Sequence, residues 1–143
     1  MWVATGSRSV STTCSRSSTK TSWISAQAGG KPDAQKLESL GAGLDGRDQR
    51  LLQWITDAGI AAIAADNTAV ELYPALPVEG PAAILPLHEH CLFKLGIPLG
   101  ELWYTQELTH ALRAAGRNAF LLTAPPLHLP GAAGSPLNPI ATI

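Results

Sequence analysis

Leu51, Leu52, Ile55 and Ala58 recur at the three- and four-residue intervals that place side chains on one helical face. Asp45 is placed to cap this helix and Gly59 to end it, with Trp54 at the edge of the stripe. Residues 60–65, IAAIAA, are apolar throughout and lie between Gly59 and Asp66-Asn67, which predicts a buried strand. Pro74 and Pro77 break any helix, leaving residues 76–83 as a loop. In the run LPLHEHCLFKLGIPLGE, from Leu85 to Glu101, Ile84, His88, Leu92 and Leu95 share one predicted helical stripe, with Leu85 and Cys91 beside it. His88 is thereby expected toward the core, and His90, on the face of Lys94, toward water. Gly96 stops the helix, Ile97-Pro98-Leu99 forms a short strand, and Glu101 stands at its end. A further helix runs from Thr105 to Ala115 with Leu108, Ala111, Leu112 and Ala115 inside; Gly116 ends it and His110 is solvated. Residues 119–124 make the last strand. The tail from 125 is rich in Pro and Gly and is expected to be irregular but docked, with His128 packed in it. Helices alternating with buried strands predict the α/β class.

The first thirty residues differ from the rest. Ser and Thr dominate from Thr5 to Ser22, and no acidic residue precedes Asp33. Such a segment buries too little apolar surface to offset its ordering entropy, so 1–30 is expected to be disordered or atypical and 31–143 to form the domain. A basic, Ser-rich transit peptide is the rival reading of this start, and Trp2 to Gly6 could be a strand. Gly29 to Pro32 reads as a linker, and Asp33 to Leu40 as a short helix.

Composition narrows the function classes. At 143 residues, with 45% apolar and 15% charged residues, the chain suits one globular domain. A net charge of -1 with no basic cluster in the domain argues against a nucleic-acid partner. No apolar run approaches the roughly 20 residues that span a bilayer, and the start lacks a secretory h-region. Cys14 and Cys91 form no metal-type spacing and are expected as free thiols in a cytoplasmic protein.

His88 and Glu101 are the best candidates for chemistry, because a histidine on a helix face and a carboxylate at a strand end can meet at one pocket. The competing reading of His88 is a hydrogen-bonded core residue. His88 and His90 diverge by about 200° on a helix and do not grip one ion together. Asp66 and Asn67 either stand on the rim of a site at a strand end or serve a local turn, with Thr68 and Glu71 at capping-box spacing. Trp103 and Tyr104 suit the wall of a pocket for a planar ligand, or ordinary packing. Ser135 lacks the setting of a nucleophile elbow.

From Gly43 onward the chain resembles the C-terminal part of the cyclase family of metal-dependent hydrolases, which includes kynurenine formamidases and isatin hydrolases. The resemblance is carried by LDGRDQRLLQWITDAGIAAIAADNTAVELYP, LPLHEHCLFKLGIPLGELWYTQEL and FLLTAPPLHLPGAAGSPLNPIA. It implies a mixed β/β/α fold and hydrolysis of an aryl amide such as N-formylkynurenine, a step of tryptophan catabolism. It also implies a divalent metal (zinc or manganese) with His88 and Glu101 as catalytic residues or ligands, Trp103, Tyr104 and Asp66 about the substrate, and compatibility with a homo-oligomer. The family's upstream His-x-Gly-Thr-His-x-Asp-x-Pro type motif has no counterpart, since no histidine precedes His88. The chain therefore resembles an N-terminally truncated member, expected to be inactive alone. The alternative is a non-catalytic remnant, or an α/β module that binds a partner.

Overall fold

The computed structural model describes the backbone of residues 2–5 and all of residues 43–143. The expectations for the Ser/Thr-rich start beyond Thr5, for Cys14, for the linker and for a helix at Asp33 to Leu40 lie outside the described residues. The chain divides into two compact units, Met1–Gln106 and Glu107–Ile143.

The first unit is built on a three-stranded mixed sheet. β1 (Trp2–Thr5) pairs antiparallel with β2 (Ile60–Ala64), from Trp2 opposite Ala64 to Ala4 opposite Ala62, with a register shift at Thr5. β3 (Leu99–Gly100) lies parallel on the other side of β2, Leu99 opposite Ile63 and Gly100 opposite Ala64. The apolar run thus becomes the central strand, although Ala61 is exposed rather than buried, and the short strand is Leu99–Gly100 rather than Ile97 to Leu99, with Glu101 just past it.

α1 (Gln49–Asp57) precedes β2, and its predicted stripe is the inner face: Ile55 is fully buried, with Leu51, Leu52 and Ala58 packed at its sides. Gly59 takes φ 61 and reverses the chain into β2, a conformation that a Cβ disfavours. The cap is Asp48 rather than Asp45. Its side chain accepts the Arg50 N–H at 2.9 Å and pairs with the Arg50 guanidinium at 3.2 Å, and these contacts hold the carboxyl below its ordinary range. Asp45 forms the turn before it, its Oδ1 accepting the Arg47 N–H at 2.9 Å. Because Gly46 and Arg47 occupy that turn, the helix starts too late for Asp45 to cap it.

The central helix begins as α2 (Pro86–His88) and continues with wider turns as α3 (Glu89–Leu95). Pro86 sits in the first turn, where its missing N–H costs nothing. Gly96 ends the helix at φ 67 and donates its N–H to the Cys91 carbonyl five residues back. Here the predicted face is corrected. Leu87 and Cys91 are the fully buried positions, whereas Ile84 is 72% exposed and Leu92 and Leu95 are also exposed. Ile84 and Leu85 precede the helix, and i to i+5 turns do not keep the 3.6-residue spacing on which the stripe was drawn.

His88 is accordingly half-buried rather than buried, and His90 is also half-buried rather than fully in water. His90 Nε2 lies 3.0 Å from Thr56 Oγ1 on α1. The Thr56 hydroxyl donates to the Leu52 carbonyl at 3.0 Å, so the His90 ring is the donor. Together Ile55, Ile60, Ile63, Val70, Leu87, Cys91 and Ile97 form one core between helix and sheet. Each large apolar side chain buried there contributes about 1.5–3 kcal/mol.

In the second unit the helix α4 (Gln106–Ala114, its first residue belonging to the first unit) has Leu112 buried and Leu108 and Ala111 half-buried, and is followed by Gly116 at φ 62. Ala115 is exposed rather than inside. β4 (Leu121–Thr123) pairs antiparallel with β5 (Ile140–Thr142), so the tail is not wholly irregular: its end is a strand. His110 is exposed, and His128 is exposed rather than packed. Among the described residues no helix is long and apolar enough to cross a membrane.

Candidate functional site

After β2 the chain turns through Asp66 to Val70 and delivers Glu71 into the interior. No helix starts here, so the capping-box reading of Thr68 and Glu71 is replaced by a different role. The Glu71 side chain has no exposed surface. Its Oε2 accepts the Leu87 N–H at 2.9 Å, and its Oε1 accepts the His88 N–H at 3.0 Å. These are donors of the first helical turn, which the helix cannot satisfy internally and which favour a negative partner. Glu71 therefore caps the central helix from the connection that follows β2. Gly46 leaves room for it, since a Cβ there would run into Glu71 Oε2 and come within 2.8 Å of Leu87 N.

His88 links this interior carboxylate to a second one. Its Nδ1 is 2.8 Å from Glu71 Oε1 and its Nε2 is 2.9 Å from Glu101 Oε1. The ring is 20% exposed, Glu71 fully enclosed and Glu101 36% exposed, so the three groups step from interior to solvent. Ionised carboxylates only accept hydrogen bonds. With both ionised, the ring donates from each nitrogen as imidazolium; with a proton on Glu101, that carboxyl donates to Nε2. The Nε2–Oε1 contact is a place where one proton can sit on either partner.

The backbone beside each carboxylate is strained. Val70, next to Glu71, has φ 59, and Leu102, next to Glu101, has φ 56. The Glu71 N–H donates to the Ala69 carbonyl across Val70, the tight three-residue turn whose positive-φ form is rare. Such conformations cost of order 1–3 kcal/mol each and persist where the surroundings impose them. Burial pushes the nearby Cys91 thiol up to about 11, with the charge of Glu71 adding to the shift. A fully buried, protonated thiol is not a nucleophile.

The other expected pocket residues stand apart from this chain of hydrogen bonds. Asp66 Oδ2 accepts from Thr105 Oγ1 at 3.4 Å. The half-buried Trp103 lays its indole over Gly100, and the exposed Tyr104 places its hydroxyl 3.5 Å from Gln106 Oε1. Among the described residues no group of three or more His, Cys, Asp or Glu side chains is arranged to hold a metal ion. His88 and Glu101 contribute at most two donors, already bonded to each other, where catalytic zinc takes three protein ligands. The described residues do not fit a complete divalent-ion site.

Glu71 is the member of this hydrogen-bonded chain that pattern reading missed. The available signal was a carboxylate enclosed by Ala69-Val70 and Leu72, since a charge in an apolar run requires a partner.

A solved structure described as a novel cyclase aligns with this architecture at a TM-score of 0.53 and 41% sequence identity, over 64% of the present chain. The chain resembles a cyclase. It spans 28% of that cyclase's length. No family model and no curated protein matches it. The likeness to the cyclase agrees with the mixed helix-and-strand fold and carries no statement about kynurenine formamidases or isatin hydrolases.

Proposed function

We propose that the chain supplies the proton-transfer residues of a cyclase-like amide hydrolase acting on an aryl amide of the N-formylkynurenine type. The Glu71–His88–Glu101 chain of hydrogen bonds carries this reading. Glu71 fixes the ring orientation and tautomer through Nδ1, as an enclosed carboxylate does for a working imidazole. His88 passes a proton between Nε2 and Glu101, and Glu101, partly open to solvent, presents the carboxylate that acts as general base. The divalent ion that the family resemblance implies needs donors beyond these two.

The test is hydrolysis of N-formylkynurenine with zinc or manganese in excess. Turnover that His88→Ala and Glu101→Gln both abolish supports the proposal. Turnover indifferent to these substitutions, or absent at every metal concentration, overturns it.

A second reading is favoured by the central helix. Phe93 is 85% exposed and stands with exposed Leu92, Leu95 and Ile84 on one short stretch. Such a patch suits a surface that a partner covers, and the chain would then be a partner-binding module. Self-association lost on Phe93→Ser, without any His88-dependent turnover, favours this reading over the first.

A further inference from the structure

Both strained turns of the site converge on one residue. The Asn67 side chain, buried in the first unit, donates from Nδ2 to the Val70 carbonyl at 3.1 Å. The Asn67 backbone carbonyl accepts the Leu102 N–H at 3.0 Å. One residue thus touches the positive-φ positions adjacent to both carboxylates, Val70 beside Glu71 and Leu102 beside Glu101, while the Leu44 N–H, at 3.3 Å, is a second donor to the Val70 carbonyl. Glu71 and Glu101 lie on separate connections, one after β2 and one after β3. His88 bridges them only while their oxygens stay on opposite sides of its ring.

We propose that Asn67 is a positioning residue that holds Glu71 and Glu101 at the separation His88 spans. This deepens the proton-transfer reading above and rests on it. A β-branched valine resists positive φ, so the tight turn needs external ties, and the Asn67 amide provides the shorter of the two donors to the Val70 carbonyl. The two links differ in kind. The one to Glu71 runs through the side chain and can be removed by mutation, whereas the one to Glu101 runs through the backbone and survives it. Substituting Asn67 should therefore release one side of the histidine and spare the other.

Asn67→Ala in the full chain, labelled with nitrogen-15, tests this at a single pH. Relative to the unmodified protein, the hydrogen-bonded Nδ1–H signal of His88 should be lost, and exchange of the Leu87 and His88 amides should quicken by about tenfold or more. The Nε2 signature toward Glu101 and the protection of Ile55 and Ile63 should stay unchanged. Adding Val70→Gly removes the resistance to positive φ and should restore the Nδ1 signal. If Asn67→Ala does not fold, the double variant decides, and a folded double variant with the signal present supports the proposal. Overturning results are an unchanged Nδ1 signal in folded Asn67→Ala, equal loss on both sides of the ring, or a double variant without the signal. The readout needs no substrate. A hydrolysis assay that fails in the unmodified protein sinks the functional reading and leaves the positioning role tested on its own.

Discussion

Glu71 and His88 are 17 residues apart and meet twice: one carboxylate oxygen accepts both the backbone N–H of His88, at 3.0 Å, and its ring Nδ1, at 2.8 Å. A single group thus fixes where the helix starts and which way its histidine faces.

Glu71→Gln keeps the shape and removes the charge. An amide cannot accept at both ends, so a helical N–H is left facing an NH2 group in the interior. The expected loss is about 1–3 kcal/mol, read as a lower urea midpoint with an unchanged m-value. A midpoint equal to that of the unmodified protein would contradict the role of Glu71 as the helix cap.

Gly46→Ala should reach the same place from the other side. The added methyl meets Glu71 Oε2 and approaches Pro86 Cγ to 2.9 Å, and must displace the carboxylate or the helix start. Overpacking of this kind costs about 1–3 kcal/mol. Gly134→Ala, where nothing stands near the new methyl, is the control and should melt as the unmodified protein does.

The protein purified without added metal should contain far less than one zinc or manganese ion per chain. It should not hydrolyse N-formylkynurenine above a His88→Ala control. Elemental analysis and a fixed-time assay read both quantities. Stoichiometric metal with His88-dependent turnover would show that another residue, such as Asp66, completes the site.

Cys91 sets an alkaline limit. Its folded-state value, about 11, lies above its ordinary 9.0, so between these values the unfolded chain loses a proton that the folded chain keeps. The stabilisation is fully present below pH 9 and is lost as pH rises toward 11. Denaturation midpoints should fall across that window. Cys91→Ala, although less stable at pH 7 through its cavity, should show a shallower fall. Thiol reagents should leave Cys91 of the native protein unmodified at pH 8.

Acid should act on Asp48. Its folded-state value is lowered, so its contribution is present above the ordinary 3.8 and is lost as pH falls through the depressed value. Asp48→Ala should melt earlier at pH 7, and the gap should narrow in strong acid. A gap that stays constant would mean that the cap does not depend on the carboxylate.

The parts of the fold legible in the sequence are those with local causes. The face of Leu51, Leu52 and Ile55, the strand within the apolar run 60–65 and the stop at Gly96 each follow from neighbours within a few residues. His88 and Glu101 could be paired because a helix end and a strand end are both visible in the pattern. Glu71 could not be paired in the same way, since its partners lie 16 and 17 residues ahead and its local spacing imitates a capping box. The face of the central helix was misdrawn because its wide turns leave no mark in the hydrophobic pattern. β5 was hidden because it is a strand only through β4, across a segment full of Pro and Gly.

Arg47 donates from Nε to the Leu76 carbonyl at 2.7 Å and from Nη2 to the Ala83 carbonyl at 3.0 Å. Both acceptors are backbone atoms, so this hold on the loop reads no side chain, and residues 77–82 between them all face solvent. The span of the loop is set from outside while its lettering is left free. Relatives of this chain can therefore change the composition of that segment, or lengthen it, without disturbing the floor on which Glu71 and His88 stand. It is the natural place to graft an epitope or a fluorophore when the site itself is to be watched.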